Sequence, residues 1–283
     1  AIQGVVVPPS HNMVLYSIVA GGVSVGSMFL AGMIPGLIML ASLMITGYLI
    51  GLKRGYGYGD PVIKKQIPGI IIHGLLSFTP AVIIVSAIIS GWATATEAGA
   101  IAAVYAFILA FLAYREAPLR NIWGVLIRTF RTVLMVFFLI AASQAFGWVM
   151  AYLHLPDIIT NWFLSVSDKP WVILLMINVL LLLLGGPMDM APMILILTPI
   201  LLPVCVKLGM DPIQFGIIMI FNSGMGLLTP PVGTVLFVGC AIGKVSVEAG
   251  TKAMLPFFYA MFVVLMAITY IPAITMWLPK MFM

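Results

Sequence analysis

The chain has 283 residues, of which 63% are hydrophobic and 7% are charged, whereas a soluble domain has about 45–50% apolar and about 25% charged residues. The 13 Lys and Arg and 8 Asp and Glu residues are too few to cover a water-facing surface. The composition therefore excludes soluble enzymes, nucleic-acid-binding proteins and disordered proteins, and the net charge of +5 indicates no nucleic-acid partner. Most side chains must face lipid, which predicts an all-α polytopic membrane protein.

Long stretches without Asp, Glu, Lys or Arg divide the chain into membrane segments. A helical span needs about 20 apolar residues, and turn signals then predict six spans, near 28–51, 67–90, 95–114, 131–153, 213–243 and 254–278. Lys and Arg concentrate in loops 52–66 and 115–131, which the positive-inside rule assigns to the cytoplasm. We expect 154–170 to be an external loop and the Arg-rich stretch 115–131 to be an amphipathic connector on the cytoplasmic surface.

Residues 171–207 form an apolar stretch that is long enough for two short passes. Its middle, 185–189, has the sequence G-G-P-M-D. Gly and Pro together break a helix, and an Asp is costly in hydrocarbon. The pattern predicts a re-entrant helical hairpin with this segment at its tip, enclosed by protein or by a watery cavity. Gly185, Gly186 and Asp189 are therefore candidate binding residues.

The chain contains an internal repeat. Residues 4–24 match residues 226–246 at the first Gly, at a Pro-Pro pair and at a closing Val-Ser. Counting the predicted crossings gives the two copies opposite directions through the membrane. Inverted repeats with broken helices are typical of secondary transporters. The pattern therefore predicts two unwound helices, one at each Pro-Pro pair.

A Pro-Pro break supplies ligands for ions. Proline lacks an N–H group, so carbonyl oxygens one turn earlier lose their partners. Oxygen donors of this kind suit a hard cation, and we expect Na⁺ as coupling ion with no organic cofactor. Its predicted ligands are nearby backbone carbonyls and the hydroxyls of Ser10, Thr229 and Thr234. The helix that begins after each break points its positive end at the cavity, which favours an anionic group there.

Several of these candidates also have a structural interpretation. Asn222 lies one to two turns before the second break, but it and Asn178 are equally typical of hydrogen bonds between membrane helices. Glu97 follows Thr94 as in a helix-capping box, and Cys205 and Cys240 are predicted to be buried without a disulfide. The full set of predicted Na⁺- or substrate-binding residues is Pro8, Pro9, Ser10, Asn12, Gly185, Gly186, Asp189, Asn222, Thr229, Pro230, Gly233 and Thr234.

These segments resemble a known family. Residues 226–244 (GLLTPPVGTVLFVGCAIGK), 209–222, 185–204, 91–107 and 5–17 are similar to the large, DctM-like membrane subunit of tripartite ATP-independent periplasmic (TRAP) transporters. The resemblance covers essentially the whole chain. The N-terminal third of the family's large subunit, including its first hairpin, has no counterpart here, so we expect the chain to be the C-terminal two-thirds of such a subunit.

The resemblance implies an elevator-type, Na⁺-coupled importer of an organic acid in the bacterial inner membrane. It implies a periplasmic binding protein (P subunit), a small membrane subunit (Q subunit) and membrane lipid as partners. The sequence P-P-S-H-N at residues 8–12 favours a sugar acid such as sialic acid over a C4-dicarboxylate. The expected division is a transport-domain segment 1–22, a scaffold and connector 23–130, a transport domain 131–243 with hairpin 171–207 and broken helix 213–243, and a C-terminal transmembrane helix 244–283.

Three alternatives remain open at this point. An ion channel also uses paired half-helices, although it should show a continuous polar stripe rather than isolated polar loops. A simple Na⁺/anion carrier would work without a binding protein. An intramembrane enzyme would need a second acid opposite Asp189, and Glu97, the one available, has the pattern of a cap. We therefore expect a transporter and not an enzyme.

Overall fold

The computed structural model describes residues 2–55, 67–114, 121–230 and 233–282, apart from the side chains of Ile67, Leu112, Ala113 and Thr234. Within these ranges the regular structure is helical, without a β-strand. The α-helices are α1 (Gln3–Val6), α2 (His11–Val19), α3 (Val25–Arg54), α4 (Ile67–Ile89), α5 (Ala95–Phe107), α6 (Ile122–Tyr152), α7 (Leu155–Val166), α8 (Pro170–Gly185), α9 (Met190–Lys207), α10 (Pro212–Gly226), α11 (Thr234–Gly243), α12 (Val247–Tyr270) and α13 (Pro272–Phe282).

Five segments of the described chain are long and apolar enough to cross a membrane, namely Val25–Arg54, Pro68–Ile89, Ile122–Tyr152, Met190–Lys207 and Val247–Tyr270. The shorter apolar helices are Ala95–Phe111 and Pro170–Gly185, and the first of these continues from α5 into a π-helical segment, Ile108–Ala113. These helices confirm an all-α polytopic membrane protein. Half of the basic residues of the two predicted cytoplasmic loops, those in 56–66 and 115–120, lie outside the described residues.

The described part of the predicted connector 115–131 belongs mainly to α6, which runs without interruption from Ile122 to Tyr152; its place on the cytoplasmic surface stays a prediction. No proline interrupts this stretch, and Arg128 and Arg131 lie within the helix. The helix is 31 residues long, which exceeds the hydrocarbon thickness by several turns. The two arginines therefore fit the end of a long helix that extends past the hydrocarbon.

Two further boundaries differ from the prediction. The expected loop 154–170 contains helix α7, which has a proline and Asp157 in its first turn, both of which favour a helix start. The expected span 254–278 is divided, because α12 ends at Tyr270 and α13 begins at Pro272. The prolyl nitrogen of Pro272 has no N–H for the preceding turn, which explains the stop.

The chain packs as two compact units, unit 1 (Ala1–Gly47 and Val136–Met283) and unit 2 (Tyr48–Met135). In unit 1, α10 is the central helix: it packs against α1, α2, α8, α9, α12 and α13, and every residue from Gln214 to Gly226 is buried. This division describes packing, whereas the functional domains predicted from the sequence remain predictions. Both Cys205 and Cys240 lie in unit 1, are buried and form no disulfide, as predicted.

In unit 2, α4 packs against α5. The hydroxyl of Tyr105 donates to the Leu76 carbonyl at 3.2 Å, and His73 Nδ1 lies 3.1 Å from the Tyr114 hydroxyl. The capping box at the start of α5 is confirmed: the Glu97 amide donates to Thr94 Oγ1, and the Glu97 carboxylate accepts from the Thr94 amide. Glu97 therefore has a structural role at a helix start.

The two repeat copies have the same order of elements. In each, a helix is followed by a break, a short helix, a tight turn and a long helix: α1–α2–α3 and α10–α11–α12. The long helices begin with matching caps, because Ser24 Oγ accepts from the Ser27 amide and Ser246 Oγ from the Ala249 amide, both at 3.3 Å. The repeat is therefore present in the backbone as well as in the sequence.

Candidate functional site

The turn between α8 and α9 corresponds to the predicted hairpin tip. Gly185 and Gly186 are buried, whereas Asp189 is exposed. Asp189 is the N-cap of α9, and its Oδ1 accepts from the Met190 amide at 2.8 Å. The carboxylate therefore stabilises the start of α9.

The tip contacts the second broken helix directly. A Cβ placed on Gly226, the last residue of α10, would lie 2.5 Å from the Cα, carbonyl carbon and carbonyl oxygen of Gly185. Two backbones thus meet without an intervening side chain, which only glycine permits. This close approach therefore accounts for a glycine at position 226. The contact brings the tip and the second break together.

The second break lies between Gly226 and Thr234. The sequence predicts carbonyl oxygens without partners at this break, and this prediction is wrong. The Gly226 carbonyl accepts from the Thr229 amide at 2.8 Å, and the Leu227 carbonyl accepts from the Leu236 amide of α11 at 3.4 Å. A carbonyl has two lone pairs, so these oxygens keep some capacity for a ligand.

The described residues of the second break differ in how far they are buried. The half-buried Thr229 donates its hydroxyl to the Met225 carbonyl at 3.0 Å, and Pro230 is exposed. Gly233 is buried, and a Cβ on it would lie 2.8 Å from the Thr229 carbonyl oxygen. Pro231, Val232 and the side chain of Thr234 lie outside the described residues, so the predicted Thr234 ligand stays a prediction.

The first break separates α1 from α2. Pro8 and Pro9 are half-buried. Ser10 is the N-cap of α2 and only 4% exposed, yet its hydroxyl has no hydrogen-bond partner within the ranges that the structure describes. Asn12, 1% exposed, donates from Nδ2 to the Met190 sulfur at 3.4 Å, and its Oδ1 has no partner within the same ranges. The break thus presents two buried oxygen atoms with unused acceptor capacity.

Both arms of the hairpin pack against broken helices. The α8 arm packs along α10, and the α9 arm packs along both α10 and α2, where Met190 accepts the Asn12 hydrogen bond. Helix α1 also packs against α10. The first break, the tip and the second break are therefore joined through these helices within unit 1.

Asn222 lies on α10 one turn before the break and is fully buried. Its Nδ2 donates to Asn178 Oδ1 at 2.8 Å and to the Ile218 carbonyl at 2.9 Å, so the hydrogen bond between helices is confirmed. Its Oδ1, however, has no hydrogen-bond partner in the part of the chain that the structure describes. Asn222 therefore both joins two helices and carries a buried acceptor without a donor.

Unpartnered buried polar atoms are uncommon, because each costs about 1–3 kcal/mol of desolvation. Besides Ser10, Asn12 and Asn222, the set includes Gln3 Oε1 and Thr198 Oγ1. Sequence reasoning missed Thr198. Its position directly before Pro199 in an apolar stretch is a signal that could have identified it, because proline makes the helix irregular there. Across the described ranges, no cluster of three His, Cys, Asp or Glu side chains suits a metal ion.

The cap at Asp189 leads to a prediction. We expect Asp189→Ala to lower the free energy of unfolding by about 1 kcal/mol, and Asp189→Asn to preserve it, because Asn and Asp cap helices about equally well. Unfolding of the purified variants measures this. Transport by the stable Asn variant then reports on the charge alone: a loss assigns the carboxylate to the binding site, whereas transport near the wild-type level leaves the residue as a cap.

Comparison with known proteins identifies the family. The model of the family described as tripartite ATP-independent periplasmic transporter, DctM component, matches residues 1–274. The uncharacterized protein YgiK of Salmonella typhimurium is 42% identical, over 99% of this chain and 64% of its own length. The sialic acid TRAP transporter large permease protein SiaM of Vibrio cholerae is 36% identical, over 100% of this chain and 66% of its own.

A third relative, the C4-dicarboxylate TRAP transporter large permease protein DctM of Pseudomonas aeruginosa, is 37% identical over 98% of this chain and 65% of its own length. The chain thus spans just under two thirds of the length of these curated relatives. The match to the family model extends over nearly the whole chain. The chain therefore belongs to the DctM component family of tripartite ATP-independent periplasmic transporters, a family of transporter components and not of enzymes.

Proposed function

We propose that the chain forms the ion- and substrate-binding part of a Na⁺-coupled importer of an organic acid. The observation that carries this proposal is a set of buried oxygens at and near the two breaks that have no partner in the described part of the chain: Ser10 Oγ, Asn12 Oδ1 and Asn222 Oδ1. Uncharged hydroxyl and amide oxygens are suitable ligands for a hard cation. A bound Na⁺ would also compensate the desolvation of these atoms, so the residues present fit the ion.

The same arrangement favours an anionic substrate. Helices α2 and α11 begin directly after the two breaks, and neither N-cap residue, Ser10 or Gly233, makes a side-chain hydrogen bond that caps the helix. The amides of a first turn that lacks a side-chain cap attract a negatively charged group, and the helix dipole adds to this attraction. A substrate carboxylate between the breaks would be bound in this way.

The relatives narrow the class of substrate. SiaM and DctM are named for sialic acid and for C4-dicarboxylates, and both of these substrates are carboxylic acids. We propose an organic acid, with a sugar acid such as sialic acid as the first candidate. We further propose a re-entrant hairpin and an elevator mechanism, supported by the packing of the tip and both breaks within unit 1.

Family membership supports the proposed partners. These are a periplasmic binding protein that delivers the substrate, a small membrane subunit, and the lipid of a bacterial inner membrane. Large apolar side chains are exposed along α4 and α6, and such surfaces suit lipid or another membrane helix.

The test is uptake of labelled sialic acid and labelled succinate into proteoliposomes. They contain the protein expressed from its full reading frame with its small subunit, and the binding protein is added outside. Uptake that needs both an inward Na⁺ gradient and the binding protein is the expected result. Uptake without a Na⁺ gradient would favour a channel, and Na⁺-driven uptake without the binding protein would favour a simple carrier. Failure of both labels would contradict the proposed substrate class.

A further inference from the structure

We propose that Asn178 and Thr269 are positioning residues that fix the carboxamide of Asn222, so that its oxygen rather than its nitrogen is presented to the Na⁺ site. The inference rests on the proposed function, since it concerns the same site. The three side chains are on α8, α12 and α10, and each is at most 2% exposed. They form a chain of hydrogen bonds in which every donor points in the same direction.

The nitrogen of Asn222 uses both of its hydrogens within the protein. One hydrogen is donated to Asn178 Oδ1 at 2.8 Å and the other to the Ile218 carbonyl at 2.9 Å. A carboxamide nitrogen has two hydrogens and no acceptor capacity. The oxygen of the same group is therefore the only atom of this side chain that remains for a ligand, and it has no partner among the described residues.

The next residue in the chain is fixed in the same way. Asn178 Nδ2 donates to the Leu174 carbonyl at 2.8 Å and to Thr269 Oγ1 at 3.2 Å. The Thr269 hydroxyl in turn donates its one hydrogen to the Leu265 carbonyl at 2.8 Å. Thr269 must therefore accept from Asn178, which leaves Asn178 Oδ1 to accept from Asn222.

Rotating the Asn222 carboxamide by half a turn would be unfavourable. Its oxygen would then face Asn178 Oδ1 and the Ile218 carbonyl, and both of these are acceptors. Two hydrogen bonds would be lost and two oxygen–oxygen contacts formed in a buried region of low polarity. The orientation of the group is thus determined by its partners rather than by the side chain itself.

The backbone of Asn222 lies beside the hairpin tip. The backbone carbonyl oxygen of Asn222 is 3.6 Å from the position of a Cβ built on Gly185. Asn222 is also one turn before Gly226, where α10 ends. A preformed acceptor at this place costs no reorientation when the ion binds, which is the physical advantage of preorganisation.

The decisive variant is Thr269→Val, which has nearly the same shape and removes the acceptor for Asn178. Its matched control is Thr160→Val. Thr160 is 1% exposed and donates to the carbonyl four residues earlier, as Thr269 does, but it lies on α7 outside the chain of hydrogen bonds. Thr269→Ser retains the hydroxyl and serves as the rescue.

The first readout is the Na⁺ concentration for half-maximal thermal stabilisation of the purified protein, with choline as the control cation. The second is the Na⁺ dependence of uptake. We expect Thr269→Val to raise both half-saturation values about three- to tenfold, the equivalent of losing one hydrogen bond. Maximal uptake should stay near that of Thr160→Val, and Thr269→Ser should return both values to the wild-type level.

Equal half-saturation values in Thr269→Val and Thr160→Val would overturn the inference while leaving the proposed function intact. A failure of Thr269→Ser to restore them would assign Thr269 a packing role instead. A wild-type protein that shows neither Na⁺-dependent stabilisation nor Na⁺-dependent uptake would overturn the proposed function itself, and this inference with it.

Discussion

Gly226→Ala is expected to reduce Na⁺-driven uptake at least about tenfold. The added methyl group would lie 2.5 Å from three backbone atoms of Gly185, and backbone atoms cannot move aside as a flexible side chain would. Either the tip or the end of α10 must shift, which is typical of overpacking that costs about 1–3 kcal/mol. The shift would displace the tip from the second break.

Two further glycine variants control this experiment. On Gly185, an added Cβ would lie 3.1 Å from the Gly226 Cα, so Gly185→Ala should cause a smaller defect. On Gly239 of α11, an added Cβ would meet nothing within 4 Å, so Gly239→Ala should leave uptake unchanged. Uptake and thermal unfolding of all three variants measure whether the defect decreases from Gly226→Ala to Gly185→Ala to Gly239→Ala. Wild-type uptake by Gly226→Ala would contradict the idea that the tip must contact α10 for transport.

Asn222→Leu is expected to raise the half-saturation concentration of Na⁺ by about thirtyfold or more. The substitution removes the proposed ligand, and it leaves Asn178 Oδ1 buried without the donor that it has at 2.8 Å. The second effect alone costs about 1–3 kcal/mol of stability, and a loss of about 2 kcal/mol in ion binding corresponds to the expected shift. Na⁺-dependent thermal stabilisation measures the binding effect separately from folding.

The neighbouring Ser223→Ala is the control for this variant. Ser223 is also buried on α10, but its hydroxyl already donates a hydrogen bond to the Met219 carbonyl at 2.7 Å. Its removal should leave the Na⁺ half-saturation unchanged. The ligand assignment of Asn222 fails if both variants shift the value equally, or if Asn222→Leu remains stable and binds Na⁺ as the wild type does.

Local sequence signals identified the main interruptions of the helices. Pro8-Pro9, the G-G-P-M-D segment and the Pro230 region each coincide with a non-helical stretch in the structure. Proline removes a backbone donor and glycine lowers helix propensity, and both effects act on adjacent residues. The sequence alone is sufficient for features of this kind.

The continuity and length of the helices are harder to predict from the sequence. Asp157 and the two arginines of α6 predict loops if charged residues mark the limits of a membrane segment. A helix extends past the hydrocarbon without difficulty, and an acid in its first turn stabilises it. Pro156 and Asp157 are local signals for the start of α7, but the charged residues of 154–170 favour a loop instead.

Contacts between distant residues could not be predicted from this one sequence. Nothing near Asn178 indicates that it bonds to Asn222 and Thr269, which lie 44 and 91 residues further along the chain. The same is true of Gly185 and Gly226. Such pairs depend on how the helices are packed, and local patterns contain no information about this packing.

The two arms of the hairpin make different polar contacts with the broken helices. The α8 arm meets α10 through one amide hydrogen bond at 2.8 Å and a backbone contact at the glycines. The α9 arm meets α2 and α10 through contacts of 3.4 Å from Asn12 and 3.3 Å from Ser223 to thioether sulfurs. A thioether is a weak acceptor. We therefore expect the polar contacts of the α9 arm to contribute less to stability than those of the α8 arm.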